Sequence, residues 1–135
     1  MRKSVLAFIS FLCFATLYSK TPQSEILFDK TVHNFGKFSE ANPVVSCKFI
    51  FKNVGDAPLI INQAIASCGC TVPSFTEKPV MPGETGEITV TYNGKGRYIG
   101  PFQKIITVTS NAETKHVRLY IKGEMEKAKK EQEDK

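Results

Sequence analysis

The chain has 135 residues, 41% of them hydrophobic, and carries 18 Lys and Arg against 13 Asp and Glu, a formal charge of +5. That length holds one ordinary domain, and that apolar share excludes both a disordered chain and a membrane-embedded one. The positive excess is dispersed and falls to +3 without Arg2 and Lys3; with no basic patch interleaved with aromatics, no nucleic-acid partner is expected. Ten Phe, four Tyr and no Trp, with recurrent Val, Ile and Thr, favour strands over helices.

The opening "MRKSVLAFISFLCFATLYSK" has a basic start, an apolar run from about Val5 to Leu17 and a more polar end. This is the layout of a secretory signal peptide, assigned to residues 1–19, and the run is short for a spanning helix, which needs about 20 apolar residues. An uncleaved N-terminal anchor is the rival reading. Cys13 follows Phe11 and Leu12, where lipoprotein processing calls for small residues, so it counts as an apolar residue of the leader. After cleavage the expected product has no membrane span and keeps Cys47, Cys68 and Cys70. Export permits disulfides, and an odd count leaves one thiol free, metal-bound or paired between chains.

Residues 20–25 are a polar lead-in containing Pro22. Ile26 to Asp29 and His33 to Phe38 are short apolar pieces, broken by Gly36, that predict one kinked opening strand or two very short ones. "VVSCKFIFKN" alternates, with Val45, Cys47, Phe49 and Phe51 on one face, and predicts a half-buried strand. "NVGDAP" is a turn by composition. "LIINQAIAS" starts with an apolar run that predicts a strand buried on both sides, although periodicity alone also admits a helix. "KPVMPGETGE" is a link to "EITVTYN", where Ile88, Val90 and Tyr92 alternate with Thr89 and Thr91. "NGKGRYIGP" lacks the G-x-G-x-x-G spacing of a dinucleotide site and joins two strand patterns, so it is read as a hairpin loop. "FQKIITVTSN" and "KHVRLYIKG" complete the strands, the last with Val117, Leu119 and Ile121 on one face. Residues 124–135 are mixed charge with little to bury and are expected to be a solvated helix or disordered tail.

About seven short strands between turn clusters, over residues 26–123, predict an all-β, immunoglobulin-like antiparallel sandwich. The cysteine and tryptophan marks of antibody domains are missing. Taken together, "HNFGKF", "FIFKNVGDAPLII", "SCGCTVPSF", "PVMPGETGEITVTYN", "GPFQKIITVTSN" and "IKGE" resemble a bacterial secreted domain-of-unknown-function family with a hydin-like Ig fold. The resemblance runs from about Phe28 to Gly123. It implies a sandwich of seven or eight strands outside the cytoplasm, with no established enzymatic activity and with Cys68, Gly69, Cys70 and Thr71 as a family hallmark. It also implies that Cys47 stands where a His is common.

The pair Cys68 and Cys70 sustains three readings. In an extended strand, residues i and i+2 share a face with Cα atoms about 6.5 to 7 Å apart, at the upper edge of disulfide reach, and Gly69 can bend the chain to close a labile, redox-active bridge. Two thiolates with Cys47 would instead make a Cys₃ site for Cu(I) or, with His33, for Zn²⁺, although the paired spacing of a zinc knuckle is missing. The third reading is architectural: one of the pair is buried or bridges to Cys47 while Gly69 lets the chain cross between sheets.

Other candidates are weaker. His33 and His116 are far apart in sequence, and His116 falls on a polar face. Asp29, Glu84 and Glu87 show no pairing for acid–base work, and Ser67 lacks a nucleophile elbow. Arg97 and Tyr98 sit in the Gly-rich loop, where recognition and solubility explain them equally well. The expected function is therefore an exported, non-catalytic Ig-like module, without cofactor, that binds or assembles an unknown protein or envelope component. The alternative is a periplasmic thiol-redox or copper- or zinc-handling protein centred on Cys68 and Cys70 with Cys47 assisting.

Overall fold

The computed structural model describes residues 18–130. The expected leader therefore lies outside the described residues except for positions 18 and 19, as do Cys13 and the last five residues of the tail. Among the described residues no helix is long and apolar enough to cross a membrane. The described residues form eight strands in two four-stranded sheets.

The first sheet contains β1 (Ile26–Phe28), β3 (Val44–Asn53), β6 (Thr85–Asn93) and β5 (Thr71–Phe75), in the order β1-β3-β6-β5. The second contains β2 (Val32–Ser39), β8 (His116–Glu126), β7 (Gly100–Ser110) and β4 (Ile61–Ala66), in the order β2-β8-β7-β4. The core lies between them. Alternation puts Cys47, Phe49 and Phe51 of β3 and Ile88, Val90 and Tyr92 of β6 inward, against Ile106 and Val108 of β7 and Leu119, Ile121 and Met125 of β8. Most of these side chains are fully buried, and each is worth roughly 1.5–3 kcal/mol of transfer free energy.

Local chemistry fits the register. Phe51 lies opposite Gly86, and a Cβ at Gly86 would collide with the Phe51 ring, so the missing side chain makes room for the aromatic. At one end of the core Tyr92 stacks on Phe102 with centroids 4.0 Å apart, and Phe38 meets both rings edge-on. At the other end Asn53 is fully buried, yet donates to the carbonyls of Ala57 and Val80 and accepts from Gly55 N–H. It closes the β3–β4 turn as buried polar groups must, by satisfying itself.

Several details depart from the sequence reading. The opening segment makes two strands of very different length, and the chain crosses from one sheet to the other between them. β2 pairs with β8 in parallel, so the sandwich is not purely antiparallel. β2 is bulged around Gly36, whose φ of 67° is a left-handed conformation that suits glycine. β4 is not buried on both sides: it is a sheet edge, with Ile65 53% exposed, and only Leu59 and Ile61 of its apolar start go inward. "TVPSF" forms β5, a strand the composition hides behind Pro73, which an edge position tolerates. β8 runs on through Glu126, so Glu124 to Glu126 are strand rather than tail, and Met125 is buried against the space left open at Gly94.

Candidate functional site

The candidate site is the corner between β4 and β5, where the chain passes from the second sheet to the first. The β4–β7 ladder extends one residue past β4: Ser67 N–H donates to Ile105 carbonyl at 2.9 Å, and Ser67 Oγ accepts from Ile105 N–H at 3.1 Å. Ser67 thus continues a strand edge. Thr71 N–H then donates to Cys68 carbonyl at 3.1 Å, closing a four-residue turn, and Asn93 N–H donates to Cys70 carbonyl at 2.8 Å, where the first sheet takes over.

That turn brings Cys68 and Cys70 together. Their Cα atoms are 5.2 Å apart, shorter than an extended i, i+2 pair, and the two sulfurs are joined in a disulfide. Gly69 does not need a left-handed conformation to allow this, since its φ is not positive. A Cβ at Gly69 would meet nothing within 4 Å, so the tip of the turn is open. Cys70 is 4% exposed and Cys68 is half-buried. Two donors address the bridge: Cys70 N–H points to Cys68 Sγ at 3.1 Å, and the buried Thr71 hydroxyl lies 3.7 Å from Cys70 Sγ.

Cys47 is elsewhere. It faces the core from β3, opposite Val90 of β6, and its thiol is free. Cys70 bonds to Asn93 of β6, whose far neighbour is Val44 of β3, so two strand spacings, about 10 Å, separate Cys70 from the strand that carries Cys47. A Cys47 bridge to either corner cysteine is therefore not formed, which corrects one branch of the architectural reading. Burial pushes the Cys47 thiol up to about 11, against a smaller opposing pull from the Lys30 ammonium. Such a thiol is a small hydrophobe.

The metal reading fares no better geometrically. The corner sulfurs are spent on each other, Cys47 is two strands away, and Lys30 Nζ sits 2.9 Å from His33 Nδ1. Burial, then the Lys30 charge, lower the His33 pKa, and its ring packs edge-on against Phe35. Among the described residues no group of three or more His, Cys, Asp or Glu is placed to hold a metal ion. His116 bonds Thr109 on the exposed face, Glu87 pairs with Lys48 at 3.0 Å, and Glu84 accepts from Met81 N–H, so the remaining titratable candidates stay apart. Tyr98 is 99% exposed at the tip of the β6–β7 loop.

Composition gave no sign of one surface feature. β4 carries no charge and no proline, and its outer face opens a shallow groove of about 360 Å³ lined by Ile65, Ile105, Thr107 and Arg118. The ladder bond at Ser67 fixes the alternation, so Ala64 and Ala66 direct their N–H and C=O away from β7, off the sheet edge. A larger hollow of about 570 Å³ lies over the β2 bulge, with mixed polar and apolar walls that include Phe102, Gln103 and Lys122, and Lys37 there is paired with Glu126 at 3.1 Å.

Solved structures place the architecture. The chain is similar to a protein of unknown function from Porphyromonas gingivalis W83, at 14% identity and a TM-score of 0.66, over 81% of this chain and 51% of that one. It therefore spans about half the length of that protein. It is also similar to the ASH / PapD-like domain 7 of human CEP192, at 10% identity and a TM-score of 0.64, over 96% of this chain and 99% of that one. The periplasmic chaperone SfaE matches at 10% identity and a TM-score of 0.52, over 77% of this chain and 58% of that one. At these identities the likeness shows an Ig-like, PapD-like fold and nothing of activity. No curated protein matches the sequence. With the ordered strand motifs and the corner in place, the family follows: the chain belongs to DUF1573, described as a protein of unknown function, whose model matches residues 26–125.

Proposed function

We propose that this is an exported Ig-like module of the cell envelope that recognises an extended segment of a partner protein by adding it as a strand to β4. The observation that carries the reading is the state of that edge. Sheet edges are normally blunted by charge, proline, bulges or brevity. β1 has three residues, β5 contains Pro73, and β2 is bulged and carries Lys37, whereas β4 is bulged only at its start and offers uncharged backbone beside Ile65. Strand addition draws affinity from such backbone groups and specificity from alternate side-chain pockets.

The lining of the groove supports one chemistry of occupant. Ile65 and Ile105 ask for an apolar side chain, and the Arg118 guanidinium, which has no acidic partner among the described residues, asks for a carboxylate beside it. The partner is therefore an extended, apolar segment carrying Asp or Glu. Export is supported by the basic and apolar N-terminal pattern and by a disulfide in a small domain.

The test is a titration of isotopically labelled protein with a synthetic peptide of about ten residues, the length of a long strand, that alternates valine with threonine and has one central glutamate. Binding is expected to slow hydrogen exchange at the Ala64 and Ala66 amides, to weaken with added salt, and to be lost in Ile65→Lys with the fold unchanged. Saturating peptide that leaves both amides unprotected, or that binds Ile65→Lys equally well, sinks the reading.

A further inference from the structure

We infer that the Cys68–Cys70 bridge is a thiol–disulfide exchange site that oxidises one dithiol of a client protein per chain, with Cys68 the sulfur attacked and Cys70 the sulfur that leaves. Exchange at this corner is independent of strand addition and needs only the turn itself.

The bridge does little structural work. It spans a sequence separation of two, so it ties no distant parts of the chain together, and the entropic benefit of a cross-link is smallest for the shortest loop. The corner is held independently by the backbone bonds from Ser67 to Ile105, Thr71 to Cys68 and Asn93 to Cys70. None of these bonds involves a cysteine sulfur, so opening the disulfide leaves every one of them in place.

The corner is asymmetric in the way exchange requires. Cys68 is the more exposed partner and Cys70 is 4% exposed, so a client thiolate meets Cys68 first. The open space at Gly69 leaves the approach clear. When the client sulfur bonds to Cys68 Sγ, the Cys68–Cys70 bond breaks and its electron pair leaves on Cys70, whose sulfur has the Thr71 hydroxyl at 3.7 Å to donate to it. The second client thiol then attacks the mixed disulfide. The client disulfide forms, and Cys68 departs as a thiolate facing the Cys70 N–H at 3.1 Å. The client loses two electrons, the bridge gains two, and the two client protons end on Cys68 and Cys70. Cys68 is thus the attacked sulfur and Cys70 the leaving one, while Gly69 keeps the approach open and Thr71 donates to the departing charge. Cys47 takes no part, being buried two strands away.

The experiment uses the full chain with Cys13→Ala and Cys47→Ala, folded by circular dichroism, and a reduced peptide containing two cysteines. The expected result is one peptide oxidised per chain without denaturant, and a several-fold slower rate in Thr71→Val. With a single-cysteine peptide activated as a mixed disulfide, Cys70→Ser is expected to capture it at Cys68 at least tenfold faster than Cys68→Ser captures it at Cys70. The inference is overturned by folded protein that lacks a Cys68–Cys70 bridge, by a bridge that passes to the peptide only after unfolding, or by equal capture in the two serine variants. The first two outcomes are read on unsubstituted corner residues, so a misfolded serine variant does not shelter the idea.

Discussion

Replacing Asn53 by alanine tests whether burial, rather than bond count, sets the worth of a side-chain amide in this fold. Asn53 makes bonds of 2.7 Å to Ala57 carbonyl, 2.9 Å to Val80 carbonyl and 3.0 Å from Gly55 N–H, with a longer contact of 3.4 Å from Glu25 N–H. Asn111 makes a comparable set: 2.8 Å from Ile60 N–H, 3.0 Å to Pro58 carbonyl and 3.1 Å from Ser24 hydroxyl. The difference is that Asn53 is wholly buried and Asn111 is exposed. After Asn53→Ala, Val80 carbonyl keeps its bond from Leu59 N–H, but Ala57 carbonyl and Gly55 N–H lose theirs in partly enclosed positions. An unsatisfied buried group costs about 1–3 kcal/mol, so two of them, partly rehydrated, and the lost side-chain volume come to about 2–4 kcal/mol. After Asn111→Ala water replaces the amide, and the cost is about 0.5–1 kcal/mol. In urea unfolding the first variant is expected to lower the midpoint sharply with an unchanged slope, and in heat to lower Tm by on the order of 10–20 °C. Equal losses in the two variants, or a larger loss in Asn111→Ala, refute the reasoning.

Two further outcomes follow from the titrating groups of β2 and β3 whose surroundings shift them. Cys47, with its thiol pushed up to about 11 from 9.0, is expected to carry roughly 100-fold less thiolate at pH ~8 than an ordinary cysteine and to resist iodoacetamide until the protein unfolds. The folded state holds that proton longer than the unfolded state, so stability declines as pH rises from about 9 to about 11, and urea midpoints of Cys47→Ala lack that component. A folded-state alkylation rate equal to that of an exposed thiol argues against the burial. His33 has the opposite linkage: its folded pKa is lowered, so the unfolded state takes up the proton first and stability drops as pH falls below 6.5. NMR titration of its ring should place the midpoint below 6.5, and a midpoint at or above that value contradicts the desolvation of the ring together with the Lys30 contact.

Where a strand is half-buried in mid-sheet, its pattern is plain in the sequence, and β3, β6 and β8 alternate as their side chains do. β4 misleads because Leu59, Ile60 and Ile61 look like a continuous core run, whereas Leu59 pairs with Val80 before the strand starts and Ile60 turns outward. Glu124 to Glu126 mislead the other way: net charge reads as solvated tail, but the two carboxylates share an outer face and Met125 alone fills the inner one. The parallel pairing of β2 with β8 is invisible to periodicity, which carries no direction. At the site, spacing alone marks Cys68 and Cys70 as neighbours, but their bridging depends on a turn closed by Thr71 N–H, and the isolation of Cys47 depends on β6 lying between. The turn is local but unmarked by any turn residue except Gly69, and the isolation of Cys47 is a fact of strand order, which no local pattern encodes.

The two proposed surfaces share one side of the sandwich. β4 ends at Ala66, and Cys68 follows two residues later, about 7 Å further along the chain. A segment paired on β4 therefore delivers one of its ends to the corner, and any thiol there meets Cys68 at an effective concentration set by the docked geometry rather than by diffusion. Strand addition does not require the bridge, and the bridge does not require strand addition. Yet an edge left uncharged beside an accessible disulfide gives exchange a source of selectivity that the small corner lacks: Gly69 and Cys68 offer almost no surface with which to discriminate among clients. On the two proposals together, recognition falls to β4 and chemistry to the turn, and a client that satisfies only one of them is either bound without oxidation or oxidised without preference.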